Sequence, residues 1–308
     1  MEHNIYNKYS DYLKDYFGEK VYKLPISLPL TCPNRDGTCG TGGCIYCSEE
    51  GGSHENLENT LTITEQLNIN KDYIGSRYGA RKFIAYFQSF TNTYLPYEEF
   101  VKNIEEVFNV SDIVGISIST RPDSITDEML DYLESIKDKY FITIEYGLQS
   151  VNNKTLDKIN RGHKLSDFID AVLRTKKRKL RVCAHLIGNL PWDDLDDIIE
   201  AANILSILKI DEVKIHSLYI VEGTKMGNMY MKEEFQMGSM EDYIERVIAF
   251  LTHLDEKILI QRLLGRAPEE KTLFSNWDTS WWKIQDMILD KMEKEDLYQG
   301  KFCRFKIL

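Results

Sequence analysis

Residues 30–52 read LTCPNRDGTCGTGGCIYCSEEGG. Four of the chain's six cysteines fall here, at Cys32, Cys39, Cys44 and Cys47, among closely spaced glycines. Glycine weakens both helices and strands, so this segment is a loop. Its shape must be fixed by something other than an apolar core. Clustered thiols in such a loop point to a metal centre.

Working outward, the flanks give the loop its setting. Residues 4–17 place Tyr6, Tyr9, Leu13, Tyr16 and Phe17 at helical spacing, and Gly18 suits the stop. Residues 23–30, with Pro25 and Pro29, read as an edge strand delivering the chain to Cys32. Beyond the loop, Thr64 is expected to cap a helix that ends near Gly79. Strand patterns follow at 82–90, 113–119, 141–148, 180–190 and 212–221, with helical patterns between them. Strands and helices thus alternate about six times, which implies parallel strands joined by right-handed crossovers. Six units fit either a partial barrel or an open doubly wound sheet. The tail, 239–308, carries a helix with Tyr243, Val247, Phe250 and Leu251, an apolar run at 257–264, and a helix with Trp277, Trp281 and Trp282.

Composition narrows the class. The 308 residues are 43% hydrophobic and 28% charged, ordinary for one large globular domain. That length suits an α/β barrel. No apolar run reaches the roughly 18 residues of a membrane span. The start, MEHNIYNKYSDYL, is polar and aromatic, unlike a signal peptide. No membrane partner and a cytoplasmic setting are expected. The net charge of −11 excludes general attraction to polyanions, so nucleic acid would need a local basic patch. The one dense basic run, Arg174 to Arg181, ends a helix before the fifth strand. Cations suit a helix C-terminus, and that end of a barrel lies away from the active face. No phosphate-loop pattern occurs.

Three readings of the cysteines compete. A [4Fe–4S] cluster on Cys32, Cys44 and Cys47 would leave one iron open. A structural zinc would add Cys39. Reduced thiols that bind nothing are the third. The loop follows the first strand of a β/α domain, where barrels build their active face, and this favours the cluster.

The segments TCPNRDG…GGCIYC, FQSFTNTY, STRPD, GLQS followed by NRGH, and HLIGNLP together resemble the radical S-adenosylmethionine (SAM) superfamily. Within it they resemble the YtqA/YhcC-type group, related in pattern to the catalytic subunit of Elongator. The resemblance runs from about Tyr9 to Gly300. Cys32-x11-Cys44-x2-Cys47 departs from the commonest CxxxCxxC spacing and matches this group, whose pattern does not require Cys39. The resemblance implies a partial (β/α)6 TIM-like barrel of radical SAM type. Its parts would be an N-terminal helical segment (1–22), a core (23–238) and a mainly helical C-terminal extension (239–308) packed on that core.

It also implies a [4Fe–4S] cluster on Cys32, Cys44 and Cys47, with SAM on the open iron. Reductive cleavage of SAM would yield a 5′-deoxyadenosyl radical that abstracts hydrogen from substrate. An electron donor of flavodoxin or ferredoxin type would be the partner. Tyr46 would sit against the adenine. Gln88, with Thr91, ends the second strand where relatives often carry a Gly-Gly-Glu motif that this chain lacks. Gln149 and Arg161 match positions that contact SAM, and an arginine forks a carboxylate well. His185 would lie near the ribose, with His216 analogous on the next strand. Glu145, the candidate catalytic residue, points inward from an apolar strand and so needs a partner: substrate, ligand or a structural cation. Arg121 would bind SAM or substrate, or pair with Asp123 in its loop. Cys183 reads as an inert buried thiol.

On substrate, the resemblance suggests tRNA wobble uridine, carboxymethylaminomethyl toward aminomethyl. A small molecule such as a tetrapyrrole is the alternative, because GLQS…NRGH and HLIGNLP report SAM binding and not substrate. A zinc-stapled binding protein without catalysis is the rival from another class.

Overall fold

The computed structural model describes residues 5–48, 57–268 and 271–306. Helix α1 (Tyr9–Phe17) and strand β1 (Val21–Ile26) precede the cysteine loop. Then come α2 (Ile63–Tyr78), β2 (Lys82–Phe87), α3 (Tyr97–Val107), β3 (Ile113–Thr120), α4 (Asp127–Ile136) and β4 (Phe141–Gln149). Short α5 (Asn153–Lys158) and α6 (Leu165–Lys177) lead to β5 (Arg181–Ile187), α7 (Leu195–Ile207) and β6 (Glu212–His216). The chain continues through β7 (Ile220–Val221), α8 (Lys225–Met231), α9 (Met240–His253), β8 (Leu259–Arg262), β9 (Thr272–Phe274) and α10 (Trp281–Lys294).

Seven strands form one parallel sheet in the order β1-β2-β3-β4-β5-β6-β8. The half-barrel that the resemblance implies is present, with one strand more than the six expected. The seventh, β8, is the short apolar run of the tail. Such runs are ambiguous between strand and helix in sequence; the open edge of β6 resolves the ambiguity by pairing.

The central strands bury both faces, as parallel strands do. On β4, Ile142, Ile144, Tyr146 and Leu148 are all buried, and Tyr146 meets Thr175 of α6 at 2.7 Å between hydroxyls. The alternate residues Glu145, Gly147 and Gln149 line the interior. The covering helices present apolar stripes: Met129, Leu130 and Leu133 on α4, and Phe168, Ala171 and Val172 on α6.

Helix α1 lies across the strands' N-terminal ends. Tyr9 and Leu13 pack with Ile84 and Leu259, against Val21 and Phe141. The chain before it covers the β8 edge, where Ile260 N donates to Asn7 O at 2.8 Å. An exposed edge invites foreign pairing, so this contact both closes the sheet and anchors the helix.

Several local expectations shift. Thr62, not Thr64, caps α2, because only Thr62 forms a capping box with Glu65. The strand expected at 212–221 ends at His216; β7 then leaves the barrel and pairs antiparallel with β9. Trp277 precedes α10 in a turn, leaving Trp281 and Trp282 in the helix. The basic run is largely neutralised: Arg174, Lys176, Arg178 and Arg181 pair with Asp170, Asp211, Asp131 and Glu212.

Candidate active site

At the end opposite α1, the strand ends and the cysteine loop enclose a cavity of about 410 Å³. Cys32, Cys44 and Cys47 line it. Cys39 does not: it is exposed, with its sulfur 3.6 Å from Arg121 Nη2. The structure thus separates one cysteine from the other three.

Polar contacts hold the loop. The Asn34 side chain, fully buried, donates to Asn160 O at 2.6 Å and approaches Cys44 Sγ at 3.7 Å. In return Asn160 Nδ2 donates to Gly43 O at 2.7 Å. Gly162 has φ +81°, and a Cβ there would lie 2.7 Å from Asn34 Oδ1, so only glycine lets the two segments meet. Ile45 anchors the loop among Leu156, Ile159, Leu218 and Met226. Arg35 Nη2 donates to Cys47 Sγ at 3.1 Å, and its guanidinium lies over the Phe90 ring.

Arg161 sits beneath the loop. Its Nη1 donates to Cys44 Sγ at 3.5 Å and its Nη2 to Gly147 O at 2.9 Å. Its Nε is buried without a partner among the described residues. A Cβ on Gly147 would come within 2.5 Å of Arg161 Nη2, so Gly147 makes room for the guanidinium. Gln149, at the end of β4, adopts φ +71° after a register shift. A left-handed non-glycine residue costs on the order of 1 kcal/mol, and here it turns the side chain to the cavity. Tyr46, Gln88, Thr91, Gln149, Arg161, His185 and His216 all line this one chamber.

Deeper in, Glu145 has its partners. Lys214 Nζ donates to Oε2 at 2.7 Å, His185 Nε2 donates to the same oxygen at 2.7 Å, and Lys23 Nζ binds Oε1. Burial alone would raise this carboxyl, but the Lys214 and Lys23 ammonium groups hold it well below the usual carboxylate range. The need for a structural cation is met twice. Those ammonium groups also make Glu145, Cys183 and His185 a poor metal site despite their proximity. Lys214 further reaches the Tyr86 hydroxyl at 3.0 Å, and Lys23 reaches Gln261 Oε1 at 2.9 Å. Cys183 is fully buried, and burial pushes its thiol up, consistent with an inert role.

Burial and the Lys214 charge push the His185 imidazole down to about 4, so it is neutral and donates from Nε2. In the metal-free protein its ring proton is expected to titrate by NMR near that value; a midpoint near the ordinary 6.5 contradicts this environment. As pH falls below 6.5 the unfolded chain takes up a proton that the native His185 refuses, so the native state loses stability there. On the next strand, Arg262 Nη2 donates to His216 Nδ1 at 2.6 Å. Burial and Arg262 hold His216 neutral as well. Arg121 pairs with Asp123 at 2.7 Å and donates to Arg161 O at 2.8 Å, so the loop salt bridge is present.

Sequence reasoning missed Lys23, Lys214, Gln261, Arg262 and Asn34. A signal existed for two of them: VYKLPI and EVKIH each set a lysine in an apolar strand, where it must have a partner.

Comparisons with known proteins identify the family. Residues 35–205 match the radical SAM superfamily, and 210–294 match the radical SAM C-terminal domain. The chain belongs to the radical SAM superfamily. It is 34% identical over 297 residues to the uncharacterized protein YtqA of Bacillus subtilis (strain 168), covering 96% of this chain and 92% of that protein. Over 100 residues it is 27% identical to tRNA uridine(34) acetyltransferase of Methanocaldococcus infernus, covering 31% of this chain and 18% of that protein. The fold is similar to that of Elp3 from Methanocaldococcus infernus (TM-score 0.67, 18% identity, 91% of this chain). This chain spans 64% of that one.

A radical SAM enzyme uses a [4Fe–4S] cluster and SAM, and it needs a reductant. The chamber fits both groups. Three thiols face it, and arginine and asparagine N–H donors are aimed at Cys44 and Cys47, the arrangement that tunes an iron–sulfur centre. Arg161 Nε, unpartnered among the described residues, and the neutral rings of His185 and His216 could offer polar contacts to a cofactor in the chamber. Among the described residues, no helix is long and apolar enough to cross a membrane.

Proposed function

We propose that Cys32, Cys44 and Cys47 hold the cluster and that SAM lies between them and the strand ends. The observation that carries this is the partition of the four loop cysteines, three on the chamber and Cys39 outside it. When bound, the cluster would supply the one electron that splits SAM into methionine and a 5′-deoxyadenosyl radical able to abstract hydrogen. The chain's own residues position and shield. Tyr46, between the paired cysteines, would lie against the adenine. Gln149 and Arg161 orient the methionyl end, and Gln88 with His185 borders the remainder. Arg35 and Arg161 stabilise thiolate charge by donating to sulfur. The Lys23–Glu145–Lys214 group forms a preorganised polar floor whose N–H donors are already fixed. A flavodoxin or ferredoxin is the proposed electron donor, in the cytoplasm.

For substrate we propose a tRNA wobble uridine, with conversion of carboxymethylaminomethyl toward aminomethyl. The similarity to a protein named tRNA uridine(34) acetyltransferase supports the nucleic-acid side of this reading. The test is a comparison of modified nucleosides in tRNA from a deletion strain and its parent. Accumulation of the carboxymethylaminomethyl form is expected, and an unchanged profile defeats the substrate. The chemistry has its own test: the reduced, reconstituted protein is expected to release 5′-deoxyadenosine from SAM. Purified protein that takes up zinc and no iron defeats it.

A further inference from the structure

The chamber's charge is at odds with the chain's. The protein carries −11 overall, yet among the described residues the chamber is lined by Lys23, Arg35, Arg121, Arg161, Lys214 and Arg262 against one carboxylate, Glu145. The cations divide by place. Arg121 pairs with Asp123, while Arg35 and Arg161 are engaged on the cysteine loop. That leaves Lys23, Lys214 and Arg262, and of these Lys23 and Lys214 both bind Glu145. Glu212, nearby and fully buried, is taken by Arg181 at 2.8 Å and by Gln261 at 2.6 Å.

Arg262 is the least satisfied of the three. Among the described residues its guanidinium bonds only the His216 ring, it has no carboxylate partner, and its Nε is buried with none at all. It reaches the chamber through a register irregularity. Val213 pairs with Ile260 and Lys214 with Arg262, so Gln261 is the extra residue and both Gln261 and Arg262 line the cavity. Bulges re-aim side chains in this way and recur beside active sites. A half-buried guanidinium whose Nε is out of reach of water and that lacks a counter-charge is costly, and a bulged strand aims this one into the chamber.

SAM does not supply the missing charge, since its sulfonium and ammonium outnumber its one carboxylate. We propose that Arg262, with Lys214 beside it, binds an anionic group of the substrate, a carboxylate or a phosphate. This rests on the reading of the chamber as the place of reaction. The planar fork of Arg262 takes two oxygens, Lys214 adds a point charge, and neutral His216 holds the fork in plane. Such a clamp would set which carbon of the substrate faces SAM, because it ties the anionic end to β6 and β8.

The test follows the unfolding midpoint of the full chain against acetate, inorganic phosphate and chloride at matched ionic strength. It is run on iron-reconstituted and metal-free protein, with SAM affinity measured separately by equilibrium dialysis. Acetate or phosphate is expected to raise the midpoint where chloride does not, and the better of the two names the group. Arg262→Gln is expected to require about tenfold more anion, Arg262→Lys to keep most of the effect, and Arg174→Gln, on the outer surface, to match the parent. Equal anion response in Arg262→Gln and parent overturns the proposal, as does a parent that responds no better than to chloride. A loss of SAM affinity in Arg262→Gln with the anion response intact places Arg262 on the cofactor and also overturns it. Failure of the parent to take up iron would defeat the cluster reading separately, and the metal-free titration still decides this one.

Discussion

Cys44→Ala is expected to abolish iron retention, whereas Cys39→Ala is expected to keep it. Cys44 is buried at the back of the chamber, and its sulfur receives Arg161 Nη1 at 3.5 Å and Asn34 Nδ2 at 3.7 Å. Removing that sulfur takes away one ligand and leaves two N–H donors directed at an apolar methyl. A cluster needs its thiolates, so iron should fall from about four per chain to below about one after anaerobic reconstitution. Cys39 is exposed, outside the chamber, and its alanine variant removes only a weak contact with Arg121. Iron and sulfide analysis of the four single variants separates the ligands. If Cys39→Ala loses the cluster while Cys32→Ala retains it, the assignment of ligands is wrong. The loop fold should survive in every variant, because Asn34, Asn160 and Ile45 tie it down independently of any metal.

Glu145→Gln is expected to be the most destabilising substitution in the barrel interior. The carboxylate is fully buried and answers two ammonium groups and an imidazole N–H. An amide of the same shape leaves Lys23 and Lys214 facing each other without a counter-charge. Breaking a buried pair by removing one partner costs about 3–5 kcal/mol, and urea denaturation at pH 7 should show a loss of that order. A loss below about 1 kcal/mol would mean that the lysines relax to water and that the floor is not preorganised. Adding Lys214→Met to Glu145→Gln should recover part of the stability, since one cation goes with the anion. The pH dependence has a definite sign. The native carboxyl is held below its ordinary value, so its contribution is complete above the unfolded value of about 4.3 and is lost as pH falls toward the native one. Glu145→Gln should lack that segment of the acid-denaturation curve.

Much of the fold was legible because the β/α alternation is local. The buried stripes of α4 and α6 and the double-faced burial of β4 stand in consecutive residues. The roles of Tyr46, Gln88, Gln149, Arg161 and His185 were legible only through the resemblance, and the structure does bring these residues to one chamber. What stayed hidden depends on register between distant segments. Lys23 meets Glu145 across 122 positions, and Asn34 meets Asn160 across 126. The demand of Glu145 for a cation could be read from burial, but which lysines answer it could not. Arg262 was further concealed, because its strand reads as a short apolar run and its aim comes from a bulge.

The register shift between β6 and β8 also has a bearing on how such enzymes diversify. The thiols, Arg161 and His185 lie on segments up to β5, whereas Lys214, His216 and Arg262 come from β6 and β8. Inserting or deleting one residue near Gln261 would turn Arg262 away from the chamber while leaving the thiol wall as it is. A lineage could therefore change its chemical diet by sliding one terminal strand, with the ignition step conserved.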